Sequence, residues 1–326
     1  MKEQEITRFL HSRYGFLLML MVSLAGTVAA YLTGAVDALT IDTGFGLPSA
    51  NDWISNPDIS LGVNLTLNVG IALVLIYINR RFNLMRSVST LFAGIFLVMQ
   101  GAVPSVMGQL YDGTVICLLV TLSIIPFFTT FQRPERTRRI FLAFCIISAG
   151  SLTDYAYAAY ILAFLIGCFQ MQCFNFKALL AAGIGMVTPY WILWGFGLIS
   201  ADDFALPEFV NIFNALGGRE IALLLVYTGF NLFLGTGFGL FNMIKVYGYN
   251  SRTRSYNGFL TVLSATTVVL IVIDYAHLNI YLPMLNCCTA FQIGHFFAIN
   301  RMMRSYIPIL TIIAIYILFY IWSISI

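Results

Sequence analysis

Basic residues in this chain fall almost wholly on one side of an alternating pattern. About eleven apolar stretches run close to membrane-spanning length, roughly 17–25 residues each. Every second connection between them is basic, carrying Lys2, Arg8, Arg13; Arg80, Arg81, Arg86; Arg133, Arg136, Arg138, Arg139; Lys177; Lys245, Arg252, Arg254; Arg301 and Arg304. The intervening connections hold only Arg219 of the 17 Lys and Arg residues. Cytoplasmic loops of membrane proteins retain Lys and Arg. The pattern therefore predicts an all-α, polytopic transmembrane helical bundle of about eleven spans. Its N-terminus lies in the cytoplasm and its C-terminus outside.

Composition excludes the alternatives. Of 326 residues, 60% are hydrophobic and 10% charged, with mean hydropathy +0.87. A soluble domain carries about 25% charged residues, so no water-soluble fold hides this much apolar surface. The expectation is a single integral membrane domain over residues 1–326, multi-pass in the inner (plasma) membrane. Acidic residues take the other side: Asp37, Asp42, Asp52, Asp58, Asp112, Asp154, Asp202, Asp203, Glu208, Glu220 and Asp274 fall outside, and Glu3, Glu5 and Glu135 inside. The basic face suits anionic lipid headgroups. Topology already explains these short basic loops, so nucleic acid is not an expected partner. The run 14–32 is too long for a signal-peptide core and reads as a retained first span. Cys117, Cys145, Cys168, Cys173, Cys287 and Cys288 lie in or beside apolar stretches, as small residues packed between helices do.

The spans are expected at about 14–33, 61–79, 88–107, 114–131, 178–199, 220–244, 259–273, 278–299 and 306–324. Residues 140–173 must hold two more, each of about 17 residues around a turn at 150–155; a re-entrant pair fits nearly as well. Residues 209–214 read as a short surface helix. In the eighth span, glycines at 235, 237 and 239 let a neighbouring backbone approach closely.

No Asp, Glu, Lys or Arg falls near the middle of a span, which argues against a proton-coupled carrier with midplane carboxylates. The polar residues inside spans are Asn64, Asn68, Gln100, Asn231, Asn286, Thr289, Gln292 and His295. The last four step by three along one helix and share roughly one face. Hydrogen bonding between helices and the wall of a cavity both explain such a stripe.

The outer face carries the candidate chemistry. Asp37 and Asp42 follow the first span, Asp154 sits in the 150–155 turn, and Asp274 closes the ninth span with His277 three residues on. Helical spacing brings Asp274 and His277 within reach. Tyr111, Tyr155, Tyr157, Tyr160, Tyr190, Tyr275 and Tyr281 lie near the same face. Asp37, Asp42, Asp154, Asp274 and His277 are the candidate catalytic residues, and a carboxylate there acts as general base toward a hydroxyl. Arg219, Tyr155, Asn286 and Gln292 are the candidate substrate-binding residues. No zinc spacing, Walker loop or dinucleotide fingerprint occurs, and no metal or cofactor is expected.

An acidic, aromatic-edged outer surface above many helices resembles, in architecture, the membrane glycosyltransferases that use polyprenyl-phosphate sugars and carry an Asp or Glu in the first outer loop. Asp37 or Asp42 matches that position. The first outer loop lacks that family's adjacent acidic pair, and no C-terminal outer domain is expected. The resemblance implies an enzyme acting on lipid-linked saccharide at the outer, periplasmic face. Residues 149–189, with the Gly150-Ser151-Leu152 turn, the aromatic span after it and Gly185 to Pro189-Tyr190, are also similar to a bacterial family of polytopic inner-membrane proteins of unknown function. Two other readings remain: a carrier or flippase for a lipid or neutral solute, with the tenth span lining the path, and a scaffold subunit docking membrane-protein partners of an envelope complex.

Overall fold

A computed structural model of the chain describes residues 2–34, 46–85, 87, 89–200, 216–299 and 305–326. Among these the fold is all-α, with no strand. The helices are α1 (Lys2–Leu10), α2 (Arg13–Leu32), α3 (Pro57–Phe82), α4 (Leu91–Ala102), α5 (Pro104–Met107), α6 (Asp112–Phe128), α7 (Thr137–Gly150), α8 (Tyr157–Gln170), α9 (Phe176–Gly195), α10 (Gly218–Val246), α11 (Ser251–Ile273), α12 (Leu278–Ile299) and α13 (Tyr306–Ile324). The expected surface helix at 209–214, like Asp37 and Asp42, lies outside the described residues.

Among the described residues, six helices are long and apolar enough to cross a membrane: α2, α3, α9, α10, α11 and α13. Their starts carry local signals. Ser12 accepts the Gly15 N–H ahead of α2, Asn56 precedes Pro57 and accepts the Asp58 N–H, Asn175 accepts the Ala178 N–H, and Asn250 accepts the Thr253 N–H. Each such cap satisfies an orphan donor of the first turn. At the far end of α3, Asn83 takes the left-handed conformation (φ 52°) that stops a helix.

The expected third span is broken. Its apolar run hides Pro104, which forces Val103 out of the helical region (φ −123°, ψ 91°) and divides the stretch into α4 and α5. With 12 residues, α4 rises only about 18 Å. The two segments within 140–173 are α7 and α8, 14 residues each, or about 21 Å against a hydrocarbon core of roughly 30 Å.

The helices form an inside-out arrangement. Every residue of α4 is buried, and α12 is buried along nearly its whole described length. Together with α6 they make the centre; α12 packs on α4, α6, α10 and α11, while α2, α3 and α13 flank α4. The outer helices turn large apolar side chains outward, among them Leu18, Met21, Ile184, Val187, Trp191, Phe233 and Leu318. So broad an exposed apolar surface suits lipid. Glycines bring the central backbones together. A Cβ on Gly294 of α12 would lie 2.4 Å from Phe92 Cβ and 3.1 Å from Phe92 Cα on α4. In α10, Gly235 and Gly239 face Thr289 and Gln292 of α12, whereas Gly237 on the opposite side meets open space.

Hydrogen bonds between connections sort the bundle into two ends. At one, His11 bonds to Ser89 (2.7 Å), Gln132 to Gln172 (2.8 Å), and Tyr256 Oη donates to the Phe128 carbonyl (2.9 Å). At the other, the Gly46 and Leu47 N–H groups donate to the Leu152 carbonyl (2.8 Å each), Tyr31 Oη donates to Asp58 (2.7 Å), and Leu110 N–H to Ser60 Oγ (3.0 Å). Each pair joins segments that the charge pattern assigns to the same side.

Candidate functional site

The end of the bundle that carries the acidic connections gathers side chains from three segments. Asp274 caps α11, and the 3-10 turn Tyr275–His277 follows. Three residues per turn nearly eclipses positions i and i+3, so His277 Nδ1 comes to 2.7 Å from Asp274 Oδ1. Sequence spacing brought this pair together, although the turn is 3-10 rather than α. From the α7–α8 turn, Tyr155 Oη donates to Asp274 Oδ2 at 2.5 Å and lies 3.0 Å from His277 Nδ1. From the first turn of α12, Tyr281 Oη donates to the same Oδ2 at 2.6 Å.

These contacts set the protonation states. Burial by itself raises the Asp274 carboxyl, but hydrogen bonds from His277, Tyr155 and Tyr281 outweigh it and hold the group below its ordinary value. Burial first, then the Asp274 carboxylate, pushes the Tyr155 hydroxyl up, so it remains a donor. An ionised Asp274 orders the imidazole: with Nδ1–H donated to the carboxylate, the lone pair resides on Nε2, the tautomer of a general base. The side chains are partly to fully screened from water, with His277 at 4% and Asp274 at 15% exposure.

Asp154, 4% exposed, accepts the Ala156 N–H at 2.6 Å and shapes the turn that delivers Tyr155. Asp112, 1% exposed, begins α6, where the helix dipole favours a carboxylate. It accepts the Ser49 hydroxyl and the Ala50 N–H (3.2 Å), tying the first outer connection to the bundle. Tyr157 lies across Gly150, where a Cβ would meet the ring at 2.2 Å.

The other substrate-binding candidates lie elsewhere. Arg219 is exposed at the start of α10 and makes no ion pair among the described residues; the neighbouring Glu220 accepts the Gly217 N–H instead (2.7 Å). Asn286 is eight residues into α12, roughly 12 Å along the helix axis. It is 0% exposed and sits in a polar network: Asn286 Nδ2 donates to Gln100 Oε1 (2.6 Å), Gln100 Nε2 to Asn68 Oδ1 (2.7 Å), and Tyr227 Oη and Asn231 Nδ2 donate to Asn286 Oδ1 (3.0 Å each). Tyr316 Oη joins by donating to Asn231 Oδ1 at 2.5 Å. These bonds tie α3, α4, α10, α12 and α13 together. Gln292 is roughly 21 Å along α12 from its start and lines a cavity at the opposite end of the bundle. Of the four substrate-binding candidates, Tyr155 alone contacts the Asp274–His277 pair.

Sequence reasoning left out of its candidates Tyr281, which belongs to the site, and Asp112, the buried acid that anchors Ser49 and Ala50. The first had a usable signal, since 274, 277 and 281 step by three and four along one face. The second stood beside Tyr111 in a short outer turn at a helix start, a position that favours an acid. In comparisons with known proteins, the chain matches no family model, no curated protein and no solved structure.

Proposed function

We propose that this chain is a multi-pass inner-membrane enzyme that transfers a sugar from a polyprenyl-phosphate carrier at its outer face. The topology proposed is about eleven crossings with the N-terminus cytoplasmic and the C-terminus outside. Six helices of spanning length and the sorting of connections into two ends support it. The observation that carries the chemistry is the Asp274–His277 pair braced by Tyr155 and Tyr281.

In this reading His277, held by Asp274, takes the proton of an acceptor hydroxyl. The acceptor oxygen forms a bond to the anomeric carbon as the bond from that carbon to the phosphate oxygen breaks. The phosphate leaves with the electron pair, still on its lipid. Arg219, the outer cation, receives the departing phosphate. Asp37 or Asp42, at the first-loop position that the glycosyltransferase resemblance points to, is the alternative to His277 as that base.

The test is donor consumption. The purified full chain is placed in liposomes carrying polyprenyl-phosphate hexoses or pentoses together with phosphatidylglycerol and a soluble methyl glycoside as hydroxyl acceptors, and lipid and glycoside products are followed by mass spectrometry. The wild-type chain consumes a donor, while Asp274→Asn and His277→Gln reduce the rate at least about 100-fold, the usual scale of a lost general base. No donor consumption by the wild type, or full rates in both variants, refutes the assignment.

A further inference from the structure

At the opposite end of the bundle, α8, α10, α11 and α12 enclose a cavity of about 360 Å³. Its wall includes Gln170, Asn242, Asn257, Gln292 and His295, with Val246 and Val262 as apolar sides. Three buried polar atoms on this wall have no hydrogen-bond partner among the described residues: Gln170 Oε1, Asn242 Oδ1 and His295 Nε2. Some 90% or more of buried polar groups in folded proteins are paired, so three such atoms around one space mark a place built for something else to pair with.

The orientations are held from behind. Asn242 Nδ2 donates to both the Gln292 carbonyl (2.8 Å) and Gln292 Oε1 (2.9 Å), which leaves its own buried Oδ1 without a partner among the described residues. Asn242 is 2% and His295 1% exposed, so neither is a surface group that water satisfies by chance. The two amide oxygens accept and cannot donate, and they repel an anion. No carboxylate lines the cavity to balance an ammonium group or a metal ion. A ligand must therefore bring neutral donors, and hydroxyl groups fit. The volume lies in the range of small-molecule sites, roughly 300–1,000 Å³. Among the described residues Arg254 is the one charge on the wall, so a phosphodiester beside the hydroxyls is tolerated.

We propose that the cavity between α8, α10, α11 and α12 binds a hydroxyl-rich neutral group, a polyol or sugar, donating to Gln170 Oε1 and Asn242 Oδ1 and pairing with His295 Nε2. Two sources share this chemistry: the headgroup of a membrane lipid and a free solute. The site is independent of the outer-end reaction, since it shares none of its residues.

The experiment uses the full chain in a detergent without a sugar headgroup. Native mass spectrometry measures retention of phosphatidylglycerol and phosphatidylinositol against phosphatidylmethanol, which matches the anionic phosphodiester and lacks the hydroxyls. In parallel, thermal shifts are measured with inositol and glucose. Two variants accompany it: His295→Phe removes a polar partner, and Val262→Trp fills the space while leaving every polar group intact. Preferential retention of a hydroxyl-bearing lipid assigns the lipid source; a saturable shift with inositol or glucose assigns the solute. In either case binding weakens at least tenfold in both folded variants, and Val262→Trp tests the idea even if His295→Phe does not fold. Equal retention of phosphatidylmethanol, binding of neither class, or wild-type binding in Val262→Trp overturns the proposal and leaves the cavity to water.

Discussion

Replacing Asn286 with Leu removes the centre of the polar network that joins α4, α10 and α12. The side chain donates once, to Gln100, and accepts twice, from Tyr227 and Asn231. Hydrogen bonds between helices in membranes average about 0.6 kcal/mol and reach about 1.7. Three of them give roughly 2–5 kcal/mol. The groups left behind decide where in that range the variant falls. Tyr227 Oη keeps the Met99 carbonyl at 2.8 Å, so it is not orphaned. Gln100 Oε1 and Asn231 Nδ2 each lose their partner, at about 1–3 kcal/mol apiece. The bond and orphan figures describe the same loss from two directions and overlap, so the expected cost is about 3 kcal/mol. Unfolding the full chain with graded sodium dodecyl sulfate in mixed micelles, followed by circular dichroism, measures it. Gln100→Leu completes a double-mutant cycle, and the double variant should lose at least about 1 kcal/mol less than the two single losses combined. A cost under about 0.5 kcal/mol for Asn286→Leu, or strict additivity in the cycle, refutes the network as a fastener between these helices.

Three other outcomes follow from named contacts. Gly294→Ala places a Cβ against the Phe92 backbone and should cost about 1–3 kcal/mol by overpacking, whereas Gly237→Ala, with nothing within 4 Å, should be neutral or stabilising; equal effects in the same unfolding assay refute the contact. Because Asp274 is held below its ordinary 3.8, its contribution to stability is present above that pH and is lost as pH falls through the folded value. Below about pH 4 the wild-type melting temperature should therefore fall more steeply than that of Asp274→Asn, and parallel curves would rule this out. Maleimide labelling of the native chain should reach Cys145 first, since the other five cysteines are buried, and all six should react once detergent unfolds it; early labelling of Cys287 or Cys288 contradicts the packing of α12.

Local features made the helices readable. Apolar length marks the long helices, though not the polar α1 or the four-residue α5, and the caps at Ser12, Asn56, Asn175 and Asn250 act within three residues of their partners. The Asp274–His277 pair was readable for the same reason. The break at Val103 also had a local signal in Pro104, but the apolar run around it continues and masks the interruption. Tyr155 is a different case. It stands 119 positions from Asp274, and nothing in its neighbourhood says which of the outer carboxylates it will meet. The stripe on α12 was readable as a face, yet its members divide: Asn286 bonds to Gln100 on α4 and Thr289 to the Asn231 carbonyl on α10, at the bundle centre, and Gln292 turns to Asn242 beside a cavity.

Hydropathy and the side on which cations remain are properties of each segment by itself, because lipid and headgroups act on every helix separately. The sequence alone therefore determined an all-α bundle with helices apolar enough to cross a membrane. Which polar groups pair, which stay unpaired around a cavity, and how Tyr155 and Tyr281 converge on Asp274 depend on helix neighbours far apart in the chain. Those neighbours are chosen by close contacts such as Gly294 on Phe92. Only the tertiary structure decided them, since a contact between distant segments leaves no period, cap or charge pattern in either one.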